Sequence, residues 1–353
     1  MTRSVASPPV ALSLFSGAGG MDLGVRQAGF RVLASVELDP HCCASLRANA
    51  EPETKVLEAD IRTVAADALR DELGLRPGEL DLLFGGPPCQ PFSQIGKRGG
   101  AVDPRASLLF EILRFAEALR PKAVLVEQVK GLLGAGALFG RLLDGLRDLG
   151  YEPTWDVLNA ADYGVPQRRQ RLIVVALGKG RRFALPAPSH GAARPQVTVG
   201  EALAGLGRRP PRLSGQVPDG SHVDVTPEGQ QRRISHVPEG QWLAAQLGAP
   251  PEIRQTLKRK DTTKFRRLSR SAPSLTLRCG EIFFHPLEDR YLTPREYLRL
   301  HGYPDWYRLR GPVRSRSGQA RQLDQHRQVA NSVPPPLALA VAERIREALR
   351  SAV

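Results

Sequence analysis

The first half of the chain alternates short apolar runs with segments of helical periodicity, which limits the folds open to it. Six apolar runs are predicted strands, at residues 11–15, 31–38, 56–61, 80–84, 123–126 and 172–177. Four helices are predicted between them, at residues 21–29, 40–50, 107–120 and 138–150. Strands that alternate with helices are typical of a doubly wound, mostly parallel sheet, so the sequence predicts an α/β fold.

One cysteine follows a strand at the place where such a fold binds its ligands. Residues 85–93 read Gly-Gly-Pro-Pro-Cys-Gln-Pro-Phe-Ser, directly after the predicted strand at 80–84. Open α/β sheets bind ligands at the carboxyl ends of their strands, and the flanking prolines restrict the backbone around Cys89. The sulfur is therefore expected to point in a fixed direction, which favours a nucleophile over a cysteine that only packs.

The turn after the first predicted strand is rich in glycine. It reads Phe-Ser-Gly-Ala-Gly-Gly over residues 15–20, and glycine lets a backbone approach a ligand at a helix N-terminus. The pattern alone also fits an ordinary tight turn. Glu37 and Asp60 end the next two strands, where carboxylates suit a ribose and an adenine amino group. Because neither half looks built for a pyrophosphate, an adenosyl cofactor is favoured over a dinucleotide.

Further charged groups border two later strands. Glu127 closes the apolar strand at 123–126, where a carboxylate is costly unless it is used. Taken alone it could equally cap a loop, but beside a cysteine nucleophile it could hydrogen-bond a ring nitrogen. Residues 167–171 read Gln-Arg-Arg-Gln-Arg. These arginines suit a phosphate and a base carbonyl, or could be solvated charges that flank the strand.

The positive charge of the chain is confined to its second half. The net charge is +14; residues 1–180 carry 21 Lys and Arg against 21 Asp and Glu, and residues 181–353 carry 29 against 15. A neutral half followed by a basic half indicates a catalytic domain joined to a part that binds a polyanion. An arginine-rich surface without such a role is the alternative.

Cysteine usage and hydropathy argue against several other classes. The four cysteines, at positions 42, 43, 89 and 279, lack the spacing of metal ligands, which predicts a reducing, cytoplasmic setting without structural zinc. Residues 1–10 lack the apolar region of a signal peptide. No apolar run approaches the roughly 20 residues of a membrane span, so neither a metal nor a membrane is an expected partner.

Taken together, these motifs resemble those of the cytosine carbon-5 DNA methyltransferases of bacterial restriction–modification systems. The Phe-Ser-Gly-x-Gly-Gly turn, the Pro-Pro-Cys-Gln-Pro-Phe-Ser loop, the Glu-x-Val strand end and the Gln-x-Arg-x-Arg block occur in the family's order. Two late segments agree, Leu-Thr-Pro-Arg-Glu at 292–296 and Gln-Val-Ala-Asn-Ser-Val-Pro-Pro at 328–335. The resemblance covers about residues 11–177 and 265–345 and leaves the region between them unmatched.

The resemblance implies methyl transfer from S-adenosylmethionine to carbon 5 of a cytosine that is flipped out of double-stranded DNA, with S-adenosylhomocysteine as the other product. Cys89 would add to carbon 6 as the nucleophile, and Glu127 would hydrogen-bond ring nitrogen 3. Arg169 and Arg171 would hold the base carbonyl and neighbouring phosphates. Gln128 completes the predicted catalytic group.

Two binding groups follow from the same resemblance. The cofactor pocket would be formed by Phe15, Ser16, Gly17, Gly19, Gly20, Glu37, Leu38, Asp60, Ile61, Pro87, Leu109, Asn331, Ser332 and Val333. The DNA contacts would come from Gln90, Ser93, Lys97, Arg98, Lys258, Arg259, Lys260, Lys264 and Arg266. The first four lie in or next to a predicted lid at 93–107, and the others lie in a basic stretch at 254–270. A solvated basic loop is the alternative for any one of them.

The resemblance also sets the expected domains. Residues 1–178 would form the catalytic and cofactor-binding domain, and residues 179–264 a smaller, irregular target-recognition domain. Residues 265–333 would complete the small domain and return the chain, and residues 334–353 would form a helix that packs back on the catalytic domain. A monomer is expected, in the bacterial cytoplasm and on the nucleoid. Whether a restriction endonuclease of the same site accompanies it is left open.

Two positions depart from the family's usual pattern. Gln128 stands where the family usually has Asn, and Ala330 stands where it usually has Gly. The extra methylene of Gln128 could displace the cysteine loop, but we expect an active enzyme. An RNA methyltransferase of the same family and a catalytically impaired DNA-binding homologue are the alternatives, and a dinucleotide oxidoreductase is a distant third. The DNA sequence that is recognised does not follow from the residues.

Overall fold

The computed structural model describes residues 7–88, 104–192, 194–206, 210–212, 221–246, 248–254, 265–314 and 322–351. It divides into two units. The first unit comprises Met1–Asn159, Gln170–Pro188 and Val333–Val353, and the second comprises Ala160–Arg169 and Ser189–Ser332.

A seven-stranded sheet forms the centre of the first unit. Its strands are β1 (Val10–Leu14), β2 (Arg31–Glu37), β3 (Lys55–Glu58), β4 (Leu82–Gly85), β5 (Ala123–Val129), β6 (Tyr151–Asn159) and β8 (Gln170–Gly178). They lie in the order β3-β2-β1-β4-β5-β8-β6. The pairs from β3 to β5 are parallel, and β8 runs antiparallel to both of its neighbours. The predicted α/β fold with a mostly parallel sheet is therefore confirmed.

Six helices accompany this sheet in the part of the chain that the structure describes. They are α1 (Gly20–Gln27), α2 (Pro40–Asn49), α3 (Ala66–Glu72), α4 (Glu111–Leu119), α5 (Gly136–Asp148) and α10 (Pro335–Arg350). Helix α2 begins where the Asp39 carboxylate accepts from the amides of His41 and Cys42, with Pro40 in the first turn. Helix α10 packs against α1, and a Cβ on Gly24 would lie 2.5 Å from the Pro335 carbonyl oxygen. Only glycine permits so close an approach of the two backbones.

The elements differ from the sequence prediction in three places. Strand β6 was not predicted, because it mixes Glu152, Pro153 and Asp156 with apolar residues at the edge of the sheet, where one side of the strand meets water. The short helix α3 was also missed. The helix predicted at 107–120 is a 3₁₀ segment over Pro104–Phe110 that continues into α4.

The second unit contains short strands and helices joined by irregular segments. Strand β7 (Gln167–Arg168) pairs with β10 (Ser274–Leu275), and β9 (Phe265–Arg267) pairs with β11 (Ile282–Phe284). Its helices are α6 (Val199–Leu203), α7 (Gln230–Ile234), α8 (Pro294–Leu300) and α9 (Gln325–Asn331). A small apolar core contains Ile234, Val237, Leu243, Phe284 and Tyr291.

A buried ion pair also stabilises the second unit. The Arg290 guanidinium contacts the Glu296 carboxylate at 2.6 and 2.8 Å, and both side chains are almost fully buried. Glu296 also completes a capping box with Thr293 at the start of α8. None of the helices in the described part of the chain has the length and apolarity that a bilayer crossing requires.

Candidate active site

The strand order creates a switch point between β1 and β4. The chain leaves β1 towards β2 and β3 on one side, and it returns to place β4 and β5 on the other. The register pairs Leu14 with Gly85 and Gly85 with Val126, so these three parallel strands end at one edge of the sheet. Open α/β sheets bind ligands at such a point. The glycine turn follows β1 and the Pro87–Pro88 segment follows β4. Glu127 lies near the end of β5.

The glycine turn has a left-handed backbone at three positions. The φ angles are 54° at Phe15, 55° at Gly17 and 77° at Gly19. A left-handed φ is unusual for a bulky residue such as Phe15, so the surrounding structure must hold this turn in place. Apart from Gly17 and its two chain neighbours, no heavy atom of the described residues lies within 4 Å of the position that a Cβ on Gly17 would take. Space for a ligand is therefore open above this residue.

Glu37 is linked to the turn through its carboxylate. One carboxylate oxygen accepts from the Gly17 amide at 2.8 Å, and the other accepts from the amides of Leu38 and Asp39, each at 2.8 Å. Burial raises the pKa of this carboxyl above its usual value, although the three amides oppose the shift. The Leu38 side chain beside it is 41% exposed. The arrangement places a carboxylate and an apolar surface next to the open turn.

The remaining predicted pocket residues of the first unit differ in their exposure to solvent and in their contacts. Asp60 caps the 3₁₀ turn at Ile61–Thr63, and its carboxylate accepts from the Arg62 side chain at 2.9 and 2.5 Å. Ile61, Pro87, Leu109 and Val333 are buried, and Leu109 belongs to the main core. The contact with Arg62 was not foreseen, because the sequence gives no indication of where that side chain points.

An ion pair lies at the end of β5. The Arg171 Nε lies 2.7 Å from one carboxylate oxygen of Glu127, and the two side chains are 12% and 7% exposed. The strand register explains the contact between these two side chains. Strands β5 and β8 are antiparallel, and they pair Glu127 with Ile173 and Val129 with Arg171. A Cβ on Gly86 would lie 3.2 Å from the second Glu127 oxygen. That oxygen is therefore beside the residues that lead into the cysteine loop.

Gln128 contacts the cysteine loop from the next position along β5. Its side-chain amide donates to the Pro87 carbonyl oxygen at 2.8 Å, and the residue is fully buried. Its own side-chain oxygen is buried and accepts no hydrogen bond from the residues that the structure describes. The amide of Gln128 thus fixes the backbone two residues before Cys89.

Part of the predicted site lies outside the described residues. This part comprises Cys89, Gln90, Ser93, Lys97, Arg98, Lys258, Arg259, Lys260 and Lys264. Their roles stay predictions.

Four predicted residues belong to the second unit. The Arg169 guanidinium is 2% exposed and donates to the carbonyl oxygens of Ala330 at 3.0 Å and Ser332 at 2.9 Å. It thereby holds the turn that contains Asn331, whose side chain is exposed. Arg266 stacks on Trp242, with its guanidinium carbon 4.8 Å from the ring centre, and burial lowers its pKa. These contacts are intramolecular, and the predicted contacts with a base or with DNA stay predictions.

The structure adds a polar cluster that the sequence reading missed. Asp22 in α1 accepts hydrogen bonds from Ser13 of β1 and Ser35 of β2, and all three are buried. A signal was present, since each strand carries a single serine inside an apolar run and the register pairs the two serines. Reading the strands one at a time concealed it. In the described residues, no group of three or more His, Cys, Asp and Glu could hold a metal ion.

The fold and the switch-point site define an α/β protein whose glycine turn and carboxylate–arginine pair lie at the same edge of the sheet. A family model, the C-5 cytosine-specific DNA methylase, matches residues 10–347. The chain belongs to this family, which confirms the resemblance read from the sequence and the predicted enzyme class.

Named relatives and a solved structure agree. The type II methyltransferase M.PspPI of Psychrobacter is 36% identical over 97% of this chain and 80% of its own length. M.XorII of Xanthomonas oryzae is 32% identical over 97% and 85%. The crystal structure of a prophage-encoded Escherichia coli protein, described as a candidate DNA modification methyltransferase, has a TM-score of 0.73 at 23% identity. It covers 97% of this chain and 99% of its own, which supports the fold alone.

Proposed function

We propose that the protein transfers the methyl group of S-adenosylmethionine to carbon 5 of a cytosine flipped out of double-stranded DNA, through a covalent adduct between Cys89 and carbon 6. The observation that carries this proposal is the shared edge of β1, β4 and β5. It brings the glycine turn, the backbone that precedes Cys89 and the Glu127–Arg171 pair to neighbouring strand ends. A methyl donor and a base that approach this edge would reach all three.

The residues around the turn fit an adenosyl cofactor. The space above Gly17 is open, and Glu37 is held by three backbone amides beside it, where it would accept from ribose hydroxyls. Two carboxylates, the buried Asp22 and the half-buried Glu37, lie close to the start of α1, so a pyrophosphate would meet negative charge there. Asp60 would share its carboxylate between Arg62 and the adenine amino group. Bound S-adenosylmethionine supplies an electrophilic methyl group.

Glu127 and Arg171 would act on the base. Arg171 occupies one Glu127 oxygen, which leaves the other, beside Gly86, for ring nitrogen 3. Ring nitrogen 3 and a carboxylate oxygen are both acceptors, so this Glu127 oxygen would carry a proton and share it with the nitrogen, at least partly protonating it. The ring then loses electron density and carbon 6 becomes receptive to the Cys89 thiolate, and the proton returns to Glu127 when the adduct breaks down. The displaced electron pair makes carbon 5 the nucleophile that takes the methyl group. Loss of the carbon-5 proton to a base then re-forms the double bond and expels the thiolate.

Bisulfite sequencing of DNA from cells that express the chain tests the proposal directly, because it reports activity, target base and sequence context together. We expect protected cytosines in one short sequence, and none with Cys89→Ala. Transfer of tritium from labelled cofactor to RNA but not to DNA would contradict the DNA assignment. A covalent complex with DNA that contains 5-fluorocytosine is the expected signature of the Cys89 adduct.

Gln128 decides between an active enzyme and an impaired homologue. Because its amide reaches the Pro87 carbonyl oxygen in this chain, we expect the native protein to be active and Gln128→Asn to be slower by roughly tenfold, about one hydrogen bond of positioning. Gln128→Met, which keeps the length and removes the donor, is the matched control and is expected to be slowed as well. Methylation by the Asn variant alone would mean that the native chain is impaired.

Several further properties of the protein are predicted together with this function. They are a monomeric protein, a cytoplasmic location on the nucleoid, and a restriction endonuclease of the same specificity as companion. The assignment of 179–264 to target recognition is proposed because the family's sequence motifs lie on either side of that region and because basic residues exceed acidic ones within it.

A further inference from the structure

A carboxylate lies buried beneath the glycine turn. Asp22 is the third residue of α1 and is 4% exposed. One of its oxygens accepts from the Ser35 hydroxyl at 2.6 Å, and the other accepts from the Ser13 hydroxyl at 3.0 Å. Arg26, on the same helix, is the cation that acts on it most strongly. Burial raises its pKa, so the position is costly for a carboxylate and calls for a use.

The cluster continues from Ser13 to the turn itself. The Ser13 hydroxyl oxygen lies 2.7 Å from that of Ser16, which is 9% exposed. A hydroxyl has one proton, and Ser13 donates its proton to Asp22. In the 2.7 Å contact Ser13 has no second proton to give, so Ser16 donates and Ser13 accepts; the Val36 carbonyl oxygen, 3.4 Å from the Ser16 oxygen, is a longer second acceptor for the same proton. An ionised Asp22 thus orders a chain of two hydrogen bonds, from Ser16 through Ser13 to the carboxylate.

This chain ends in the strained part of the turn. Ser16 stands between Phe15 and Gly17, which both have a left-handed φ. Its amide donates to the Val36 carbonyl oxygen at 3.2 Å, and its hydroxyl is fixed by Ser13. Conformations of this kind persist only where neighbouring contacts hold them. The same conformation directs the Gly17 amide towards Glu37.

We propose that Asp22 is a positioning residue for the methyl-donor site: through Ser13 and Ser16 it holds the turn at 15–19 in the conformation that receives the cofactor. The inference rests on the proposed function, since it assigns the turn to S-adenosylmethionine. It has a second consequence for Ser16. Because its only proton points inward, its oxygen can only accept from a further partner, which matches an amino or ammonium group and not a phosphate.

The test compares two residues of the chain with a matched residue outside it. Ser13→Ala and Asp22→Asn interrupt the path to Ser16, whereas Ser35→Ala removes an equally buried bond to the same carboxylate off that path. The affinity for S-adenosylhomocysteine, measured by calorimetry, should fall roughly five- to tenfold in the first two variants. Ser35→Ala should retain native affinity even where its stability to urea is reduced. The double variant of Ser13 and Asp22 should lose no more affinity than either single one.

A second readout follows the turn without a ligand. In amide NMR spectra of the free protein, the Gly17 and Gly19 resonances should shift in Ser13→Ala and Asp22→Asn and stay in place in Ser35→Ala. If all three variants lost the same affinity, the cluster would contribute only to packing, and the inference would be wrong. Additive losses in the double variant would contradict it too. Native affinity in Ser13→Ala would do the same, and this variant suffices if Asp22→Asn fails to fold. A native protein that binds no cofactor would overturn the proposed function as well, which separates the two failures.

Discussion

At the scale of single residues, the ion pair of Glu127 and Arg171 joins two largely buried charges that the proposed reaction would use. Two largely buried charges are costly to desolvate, and each is tolerated because the other is within hydrogen-bond distance. Sequence predicted that both residues belong to the site, because each borders a strand. It did not predict that they touch each other, because that contact depends on β5 and β8 being antiparallel neighbours.

Arg171→Met is expected to destabilise the protein by about 3 kcal/mol, since it leaves the Glu127 carboxylate buried without its partner. Adding Glu127→Gln should restore much of this loss while methyl transfer stays abolished. Urea unfolding of the single and double variants measures both effects. The control is Arg47→Met, whose partner Glu58 is exposed, and a change within about 1 kcal/mol is expected there. Equal losses at the two sites would show that burial of the pair is not the cause.

At the scale of elements, the sequence predicted the strands that consist of a continuous run of apolar residues. Strands β1, β2, β4, β5 and β8 are buried on both sides and read as continuous apolar runs. Strand β6 was missed because it lies at the edge of the sheet with polar residues on its open side. The pairing of Ser13 with Ser35 was missed for a different reason: register is a property of two strands and is not visible in either alone.

The contact between α1 and α10 gives a prediction for the elements that close the first unit. In Gly24→Ala the added Cβ would lie 2.5 Å from the Pro335 carbonyl oxygen and 2.7 Å from the Leu339 amide nitrogen. Backbone atoms cannot swing aside, so a loss of about 1–3 kcal/mol in unfolding free energy is expected. Gly140→Ala in α5 is the control, because outside the backbone of its own helix and its two chain neighbours no heavy atom of the described residues lies within 4 Å of its added Cβ. There the variant should gain up to about 1 kcal/mol, and destabilisation of both variants alike would contradict the assignment.

Tyr151, the first residue of β6, gives a pH prediction. Its hydroxyl donates to the Pro121 carbonyl oxygen at 2.7 Å, and burial raises its pKa to about 12. Because the folded-state pKa lies above the ordinary value of 10, the folded protein holds this proton more tightly. The stabilisation is complete below about pH 10 and is lost as the pH rises towards about 12.

Tyr151→Phe should therefore cost about 1 kcal/mol near neutral pH and show a smaller decline in stability between about pH 10 and 12. Other tyrosines and the lysines also titrate in this range, so the informative quantity is the difference in slope between variant and native protein. Urea unfolding at several pH values measures it. Parallel slopes would mean that the Tyr151 hydroxyl has an ordinary pKa.

At the scale of the whole molecule, the boundary between the neutral and the basic half of the sequence does not coincide with the boundary between the two structural units. The excess of 14 positive charges lies entirely in residues 181–353, although this half also supplies α10 to the first unit. Composition could therefore indicate a polyanion as partner without giving the path of the chain. The return of α10 to the unit that contains β1 could not be read from charge, and its apolar face at helical spacing showed only that it packs on something.

The basic stretch gives the last prediction, which concerns DNA affinity and its dependence on salt. The logarithm of the DNA affinity falls linearly with the logarithm of the salt concentration, and each phosphate contact adds about 0.9 to the steepness of that slope. If Lys258, Arg259, Lys260 and Lys264 contact phosphates, changing all four to Gln should reduce the slope by as much as about 3 to 4. The control changes four basic residues of the neutral half that pair with acidic neighbours, namely Arg47, Lys55, Arg76 and Arg147. It alters net charge by the same amount, so a reduction confined to the first variant would locate the contacts. The same reduction in both would assign the salt dependence to net charge and remove the basic stretch from the interface.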